Sequence, residues 1–174
     1  MKKIFLLTVL IFTISICTAQ QKEISEPLKP FAPFVGKTWV GEFTDPSGKE
    51  MRDVSKWERI LNGNAIRILH SLNKGMYGGE TVLYYDKAKK AVSFHYFTTA
   101  GFQTSGTFEF KNDEFIGMEN VTGSEDGITL VKSVSKFIDK NSFEVKSQYL
   151  QKGEWIKGHH IKYKLDNSAK VIFK

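Results

Sequence analysis

The chain of 174 residues has one cysteine, Cys17, and it sits inside the apolar stretch at the N-terminus. Without further thiols, the remainder can form no disulfide, no thiolate metal centre and no cysteine nucleophile, so it must be held together by burial alone. Arginine is nearly as scarce, with Arg52, Arg59 and Arg67 set among many lysines that are spread singly along the sequence. Bidentate base readout and dense phosphate contacts favour arginine in a concentrated patch, so nucleic acid is not an expected partner. The chain also lacks a Gly-rich phosphate loop, a G-x-S-x-G elbow and an H-x-x-x-H metal spacing. No cofactor is called for.

Only one apolar run stands out. MKKIFLLTVLIFTISICTAQ places Lys2 and Lys3 before an apolar stretch from Ile4 to Ile16 and small residues before Gln20. This three-part layout is that of a secretory signal peptide, and the stretch is too short to span a bilayer. Cleavage after Ala19 is expected, giving residues 1–19 as leader and a periplasmic or secreted product. Cys17 raises a lipoprotein alternative, against which Ile16 argues because lipobox signals place a small residue before the cysteine. Removal of Lys2 and Lys3 lowers the formal charge of +6 by two. No integral membrane segment is expected after cleavage.

Three of the four prolines, Pro27, Pro30 and Pro33, fall in one segment and forbid a long regular helix there. Leu28, Phe31 and Phe34 give that segment an apolar side. Residues 20–37 therefore read either as a short capping turn over an open sheet end or as a linker. From Trp39 to Leu165 about ten strand-like runs alternate with short turns, and Lys170 to Phe173 adds a last short run. Short links make sequence neighbours spatial neighbours. The fold class is thus all-β, an antiparallel up-and-down β-barrel over residues 38–174.

Asn62-Gly63 reads as a two-residue hairpin turn, which pairs Arg59 with Ile66, Trp57 with Ile68, Ser55 with His70 and Asp53 with Leu72. Trp57 then points inward, together with Arg59 and His70. Alternation elsewhere puts Trp39, Gly41 and Phe43 on one inward face, as it does Phe102, Thr104, Gly106, Phe108 and Phe110, and Phe143, Val145, Ser147 and Tyr149. In the final strand it selects Trp155, Lys157, His159, Ile161, Tyr163 and Leu165. Each buried aromatic removes roughly 150–250 Å² from water, so many of these rings are core. A barrel of about ten strands is nevertheless wider than the eight that side chains just fill, leaving room for a cavity.

Inward polar groups carry more information, because a buried charge is costly unless paired or wetted. Arg59, His70, Lys157 and His159 either pair with Glu42, Glu80 or Glu119, or form the polar end of an aromatic-walled pocket. Ser55, His70 and Asp53 also share a face, a set that adjacent strand positions make by chance.

PFVGKTWVGEF (Pro33 to Phe43), KWERILNGNAI (Lys56 to Ile66) and GGETVLYYDKAKK (Gly78 to Lys90) together resemble the calycin-like barrels, the broad group of lipocalins and fatty-acid-binding proteins. The nearest likeness is to an uncharacterised bacterial family of exported lipocalin-like domains. That resemblance implies a closed barrel with an internal apolar pocket. A second likeness, to nitrobindin-like haem barrels, rests on the late-strand His159. The resulting expectation is a barrel that binds a small hydrophobic or amphipathic ligand, with Trp39, Trp57, Phe108, Tyr149, Trp155 and Tyr163 as walls and Arg59, His70 and His159 as polar contacts. The alternatives are an isomerase or hydrolase using His70 or His159 as acid–base, a haem-binding barrel, and an envelope domain that binds a partner.

Overall fold

The computed structural model describes residues 23–45 and 47–174, so the expected leader and its cleavage point lie outside the described residues. Ten antiparallel strands run in chain order: β1 (Thr38–Thr44), β2 (Glu50–Ile60), β3 (Ala65–Leu72), β4 (Tyr77–Asp86), β5 (Ala91–Thr98), β6 (Gln103–Lys111), β7 (Glu114–Asn120), β8 (Ile128–Asp139), β9 (Ser142–Gln151) and β10 (Glu154–Leu165). Each pairs with the next, and β1 pairs with β10, so the sheet closes into an up-and-down barrel without free edges. Among the described residues, no helix is long and apolar enough to cross a membrane.

The β2–β3 register is the one read from the sequence, with Arg59 opposite Ile66 and Asp53 opposite Leu72. Its connection is longer than the two-residue turn expected. Ile60 and Ala65 are the last pair, and Leu61, Asn62 and Gly63 all take positive φ between them. The final short run is a correction. Residues 170–173 are not a strand but lie over the outside of β3, where the Ile172 N–H donates to Ser71 Oγ (3.0 Å) and helps leave Ser71 2% exposed.

One end of the barrel is plugged. The 3₁₀ segment Glu26–Phe34 buries Leu28, Phe31 and Phe34 at the end ringed by the β2–β3, β4–β5, β6–β7 and β8–β9 turns. Proline at 27, 30 and 33 suits this tighter helix, whose three-residue turn places Leu28, Phe31 and Phe34 along one side. Phe34 stacks on Trp57 (centroids 4.5 Å apart) and meets Phe143 edge-on (5.0 Å), while Phe31 lies 5.0 Å from Phe115. The plug thus converts three apolar side chains of a proline-rich segment into the floor of the interior.

Inward glycines make room for rings from the neighbouring strand. A Cβ at Gly41 would lie 2.8 Å from the Tyr163 ring, one at Gly106 2.6 Å from Phe94, and one at Gly117 2.9 Å from Phe108. The large side chain of one strand lies flat across the bare backbone of the next, which lets many aromatics share a barrel without overpacking.

The last strand departs from simple alternation. The β9–β10 pairing shifts between Lys157 and His160, so Ile156 rather than Trp155 stands opposite the inward Tyr149. Before this bulge Trp155 and Lys157 face outward, and after it Ile161, Tyr163 and Leu165 face inward. An extra residue in one strand reverses facing on either side of it.

Candidate binding interior

The interior has two halves of different chemistry. Next to the plug, Trp57, Phe108 and Tyr163 join Phe31, Phe34 and Phe115 around a cavity of 130 Å³. Trp57 Nε1–H is satisfied by Ser55 Oγ at 3.1 Å. The cavity expected from the strand number is therefore largely filled by the plug and its partners. What is left is below the roughly 300 Å³ at which pockets hold drug-sized molecules.

Away from the plug the interior is polar. The Asp53 carboxylate, 7% exposed, accepts from Tyr163 O–H (2.9 Å) and from His70 Nδ1–H (2.9 Å). His70 Nε2 lies 2.7 Å from the Tyr96 hydroxyl, and Tyr96 O–H donates to Tyr77 (3.0 Å). The result is one hydrogen-bonded chain running from β10 through β2 and β3 to β5 and β4. Pairing explains its assembly: Ser55 sits opposite His70, so Asp53 is its diagonal neighbour on the same inward face, and Gly79, the His70 partner on β4, gives the Tyr96 ring room.

Burial pushes the Tyr96 and Tyr163 phenols well above their ordinary value, helped at Tyr96 by the bond to Tyr77 and at Tyr163 by the Asp53 charge. Both phenols therefore remain hydrogen-bond donors throughout the physiological range. Across the interior, Thr104 Oγ1–H donates to Glu119 at 2.5 Å. Burial raises the Glu119 carboxyl above its usual value, with the Thr104 bond opposing. The Glu119 charge also raises Tyr96 and Tyr149, which places the three groups around one space.

Solvent reaches this half. Glu119, Ser133, Ser147 and Tyr149 all face inward by register yet are only half-buried, and in a closed barrel that exposure comes through the interior. The plug occupies the other end, so access runs past the β3–β4, β5–β6, β7–β8 and β9–β10 turns. The arrangement is a cup with an aromatic floor and hydroxyl, carboxyl and imidazole groups on its walls.

The residues singled out from the sequence divide accordingly. Trp39 is fully buried, its Nε1–H donating to the Phe34 carbonyl (3.3 Å), and belongs to the floor packing. Trp57, Phe108 and Tyr163 meet at the small cavity, and His70 and Tyr149 stand in the open half. Arg59 lies at the plugged end, beside Trp57, Ala32 and Gly36. Trp155 is 46% exposed on the outer face, and Lys157 faces outward with it, both through the bulge. His159 lies in the bulge itself, exposed, its backbone N–H held by Ser147 Oγ (2.7 Å) and its ring 5.3 Å from Phe43 and 6.0 Å from Tyr149. The inward facing expected for Trp155 and Lys157 is corrected by this extra residue, whereas the His159 ring keeps to the side of the inward Phe43 and Tyr149.

The expected ion pairs also differ. His70 binds Asp53, and Glu42 binds Arg52 on the outside (2.7 Å). Ser55 accepts from Trp57 and both His70 nitrogens are engaged by Asp53 and Tyr96, so Ser55, His70 and Asp53 do not assemble as a nucleophile set. Among the described residues no cluster of three His, Cys, Asp or Glu side chains is placed to hold a metal ion. Tyr77 and Tyr96 are absent from the sequence reading, which has Thr104 facing inward but gives it no polar role. Alternation through Val92, Phe94 and Tyr96 was the available signal for Tyr96.

No family model matches the chain, and no curated protein matches it. Among solved structures, that of Rv2717c from M. tuberculosis is similar over 83% of this chain and 98% of that one, with a TM-score of 0.57 and 13% identity. At that identity the likeness is one of fold.

Proposed function

We propose that this barrel binds a small amphipathic molecule in the open half of its interior. The observation that carries the reading is the Asp53–His70–Tyr96–Tyr77 chain, a set of polar groups oriented by one another and ending at a half-buried phenol beside solvent-reached space. Polar groups fixed in an aromatic-floored hollow are the usual means by which a site orients a ligand whose apolar part is buried. The small volume beside the plug favours a compact ligand over a long acyl chain or a porphyrin. We further propose that the protein works outside the cytoplasm, on the strength of the leader-like residues 1–19.

Native mass spectrometry of protein isolated without denaturation tests this reading. A non-covalent adduct of a few hundred daltons that is lost in Ser133→Trp, which fills the cup, supports it. Retention of the adduct in Ser133→Trp would place the ligand elsewhere and overturn it.

A further inference from the structure

Lysines that are scattered in the sequence converge on one outer face. The register of β8, β9 and β10 sets Lys132 beside Gln148 and Lys157, Val134 beside Lys146 and His160, and Lys136 beside Glu144 and Lys162. Lys164 continues the column along β10. Neighbouring strands are about 4.8 Å apart, so these cations form a compact array. The sequence reading of singly spread lysines is corrected here: every second residue of three adjacent strands reaches the same surface.

This face is chemically unlike the opposite one. On β2 and β3 the charges neutralise each other, Glu58 taking both Lys56 (2.7 Å) and Arg67 (2.6 Å). On β8–β10, Glu144 is already shared by Lys146 (2.6 Å) and His160 (2.8 Å). Among the described residues, Lys132, Lys157, Lys162 and Lys164 have no carboxylate within ion-pair distance. A groove of 450 Å³ runs between Lys132, Lys146, Lys157 and His160. The next row toward the open end is Leu130, Leu150 and the exposed Trp155.

We propose that this face docks the protein on an anionic lipid bilayer. Unpaired point charges on flexible stems, followed at one border by tryptophan and leucine, match a surface with phosphate outside and apolar depth at one edge. The array has no arginine, which base readout and bidentate phosphate contacts favour, so nucleic acid fits it less well. Docking in this pose sets the rim of the cup against the bilayer surface. The proposal stands on the outer face and does not depend on what the interior binds.

The test uses protein isolated from expressing cells, with its first residue established, and vesicles of phosphatidylcholine alone or with 30% phosphatidylglycerol (a mole fraction chosen on the order of natural anionic surfaces). The neutral vesicles account for any contribution of the apolar residues 4–16. Binding is expected only to the anionic vesicles and is expected to weaken with salt. Lys132→Gln/Lys157→Gln/Lys162→Gln should lose affinity on the order of 100-fold, at about five-fold for each charge removed. Lys87→Gln/Lys89→Gln/Lys111→Gln, an equal charge change at the plugged end and beyond a Debye length of about 8 Å, should bind as the parent does. Brominated lipid should quench Trp155 emission, and Trp155→Phe should abolish that quenching. Equal binding to neutral vesicles, equal loss in both triple variants, or tighter binding to a single-stranded oligonucleotide at the same salt would overturn the proposal.

Discussion

Tyr163 donates a 2.9 Å hydrogen bond to Asp53 across 110 positions of sequence, inside the wall where the last strand closes on the first two. The bond fixes a buried carboxylate that also orients His70, so barrel closure and the arrangement of the polar interior depend on the same pair.

Tyr163→Phe should therefore destabilise the fold by about 1–3 kcal/mol, the usual cost of leaving a buried acceptor short of a donor. Thermal unfolding measures it, with each kcal/mol lowering Tm by about 2–4 °C for a chain of this size. The raised phenol adds a pH signature. The folded state keeps the proton where the unfolded chain loses it, so this contribution is complete below the ordinary tyrosine value of 10.0 and fades as pH rises above it. Parent and variant should converge in stability under strongly alkaline conditions.

Glu119 gives a signature of the opposite kind. Burial raises its carboxyl, so the folded state binds more protons than the unfolded chain. Its favourable contribution is present below the ordinary value of 4.5 and is lost as pH rises through the folded value. Glu119→Gln should raise Tm at pH 7 and change it little near pH 4, as read by calorimetry at the two pH values.

At Gly41 an added Cβ would stand 2.5 Å from Ile161 Cγ2 and 2.8 Å from the Tyr163 ring. Gly41→Ala should cost about 1–3 kcal/mol through overpacking, and it should move Tyr163 away from Asp53. An NMR shift of the His70 ring resonances, absent in an outward control such as Glu109→Ala, would register that displacement.

The floor can be opened from below. Phe34 packs against Trp57, Phe137 and Phe143 at 4.5–5.0 Å, so Phe34→Ala should cost about 3–5 kcal/mol and enlarge the adjoining cavity. Chemical denaturation gives the cost, and xenon uptake in a crystal would show the added volume.

Strand count, the β2–β3 register and the inward faces of β1, β6 and β9 were legible because period-two alternation and turn residues are local properties. The β10 bulge was not. Nothing in Trp155 to Tyr163 marks the extra residue, and one unseen residue reversed Trp155 and Lys157. The polar chain was legible only in part: Asp53 and His70 share a hairpin, whereas Tyr163, Tyr96 and Tyr77 reach them through barrel closure and through strand pairs that carry no register signal of their own. The basic outer face escaped for the same reason, since its lysines become neighbours only when three strands are aligned. The plug was legible only in part: Leu28, Phe31 and Phe34 gave the proline-rich segment an apolar side, but a linker fitted the sequence equally well, and the 3₁₀ turn that lines the three up is seen only in the fold.

Occupancy of the open half is tested most directly with N-phenyl-1-naphthylamine, a neutral amphipathic dye that the basic outer face does not attract. Its fluorescence should rise on binding the parent, should not rise with Ser133→Trp, which fills the cup, and should rise normally with Glu109→Trp, which adds the same ring outside. Equal binding by Ser133→Trp and the parent would show that the interior is not where this protein takes up small molecules.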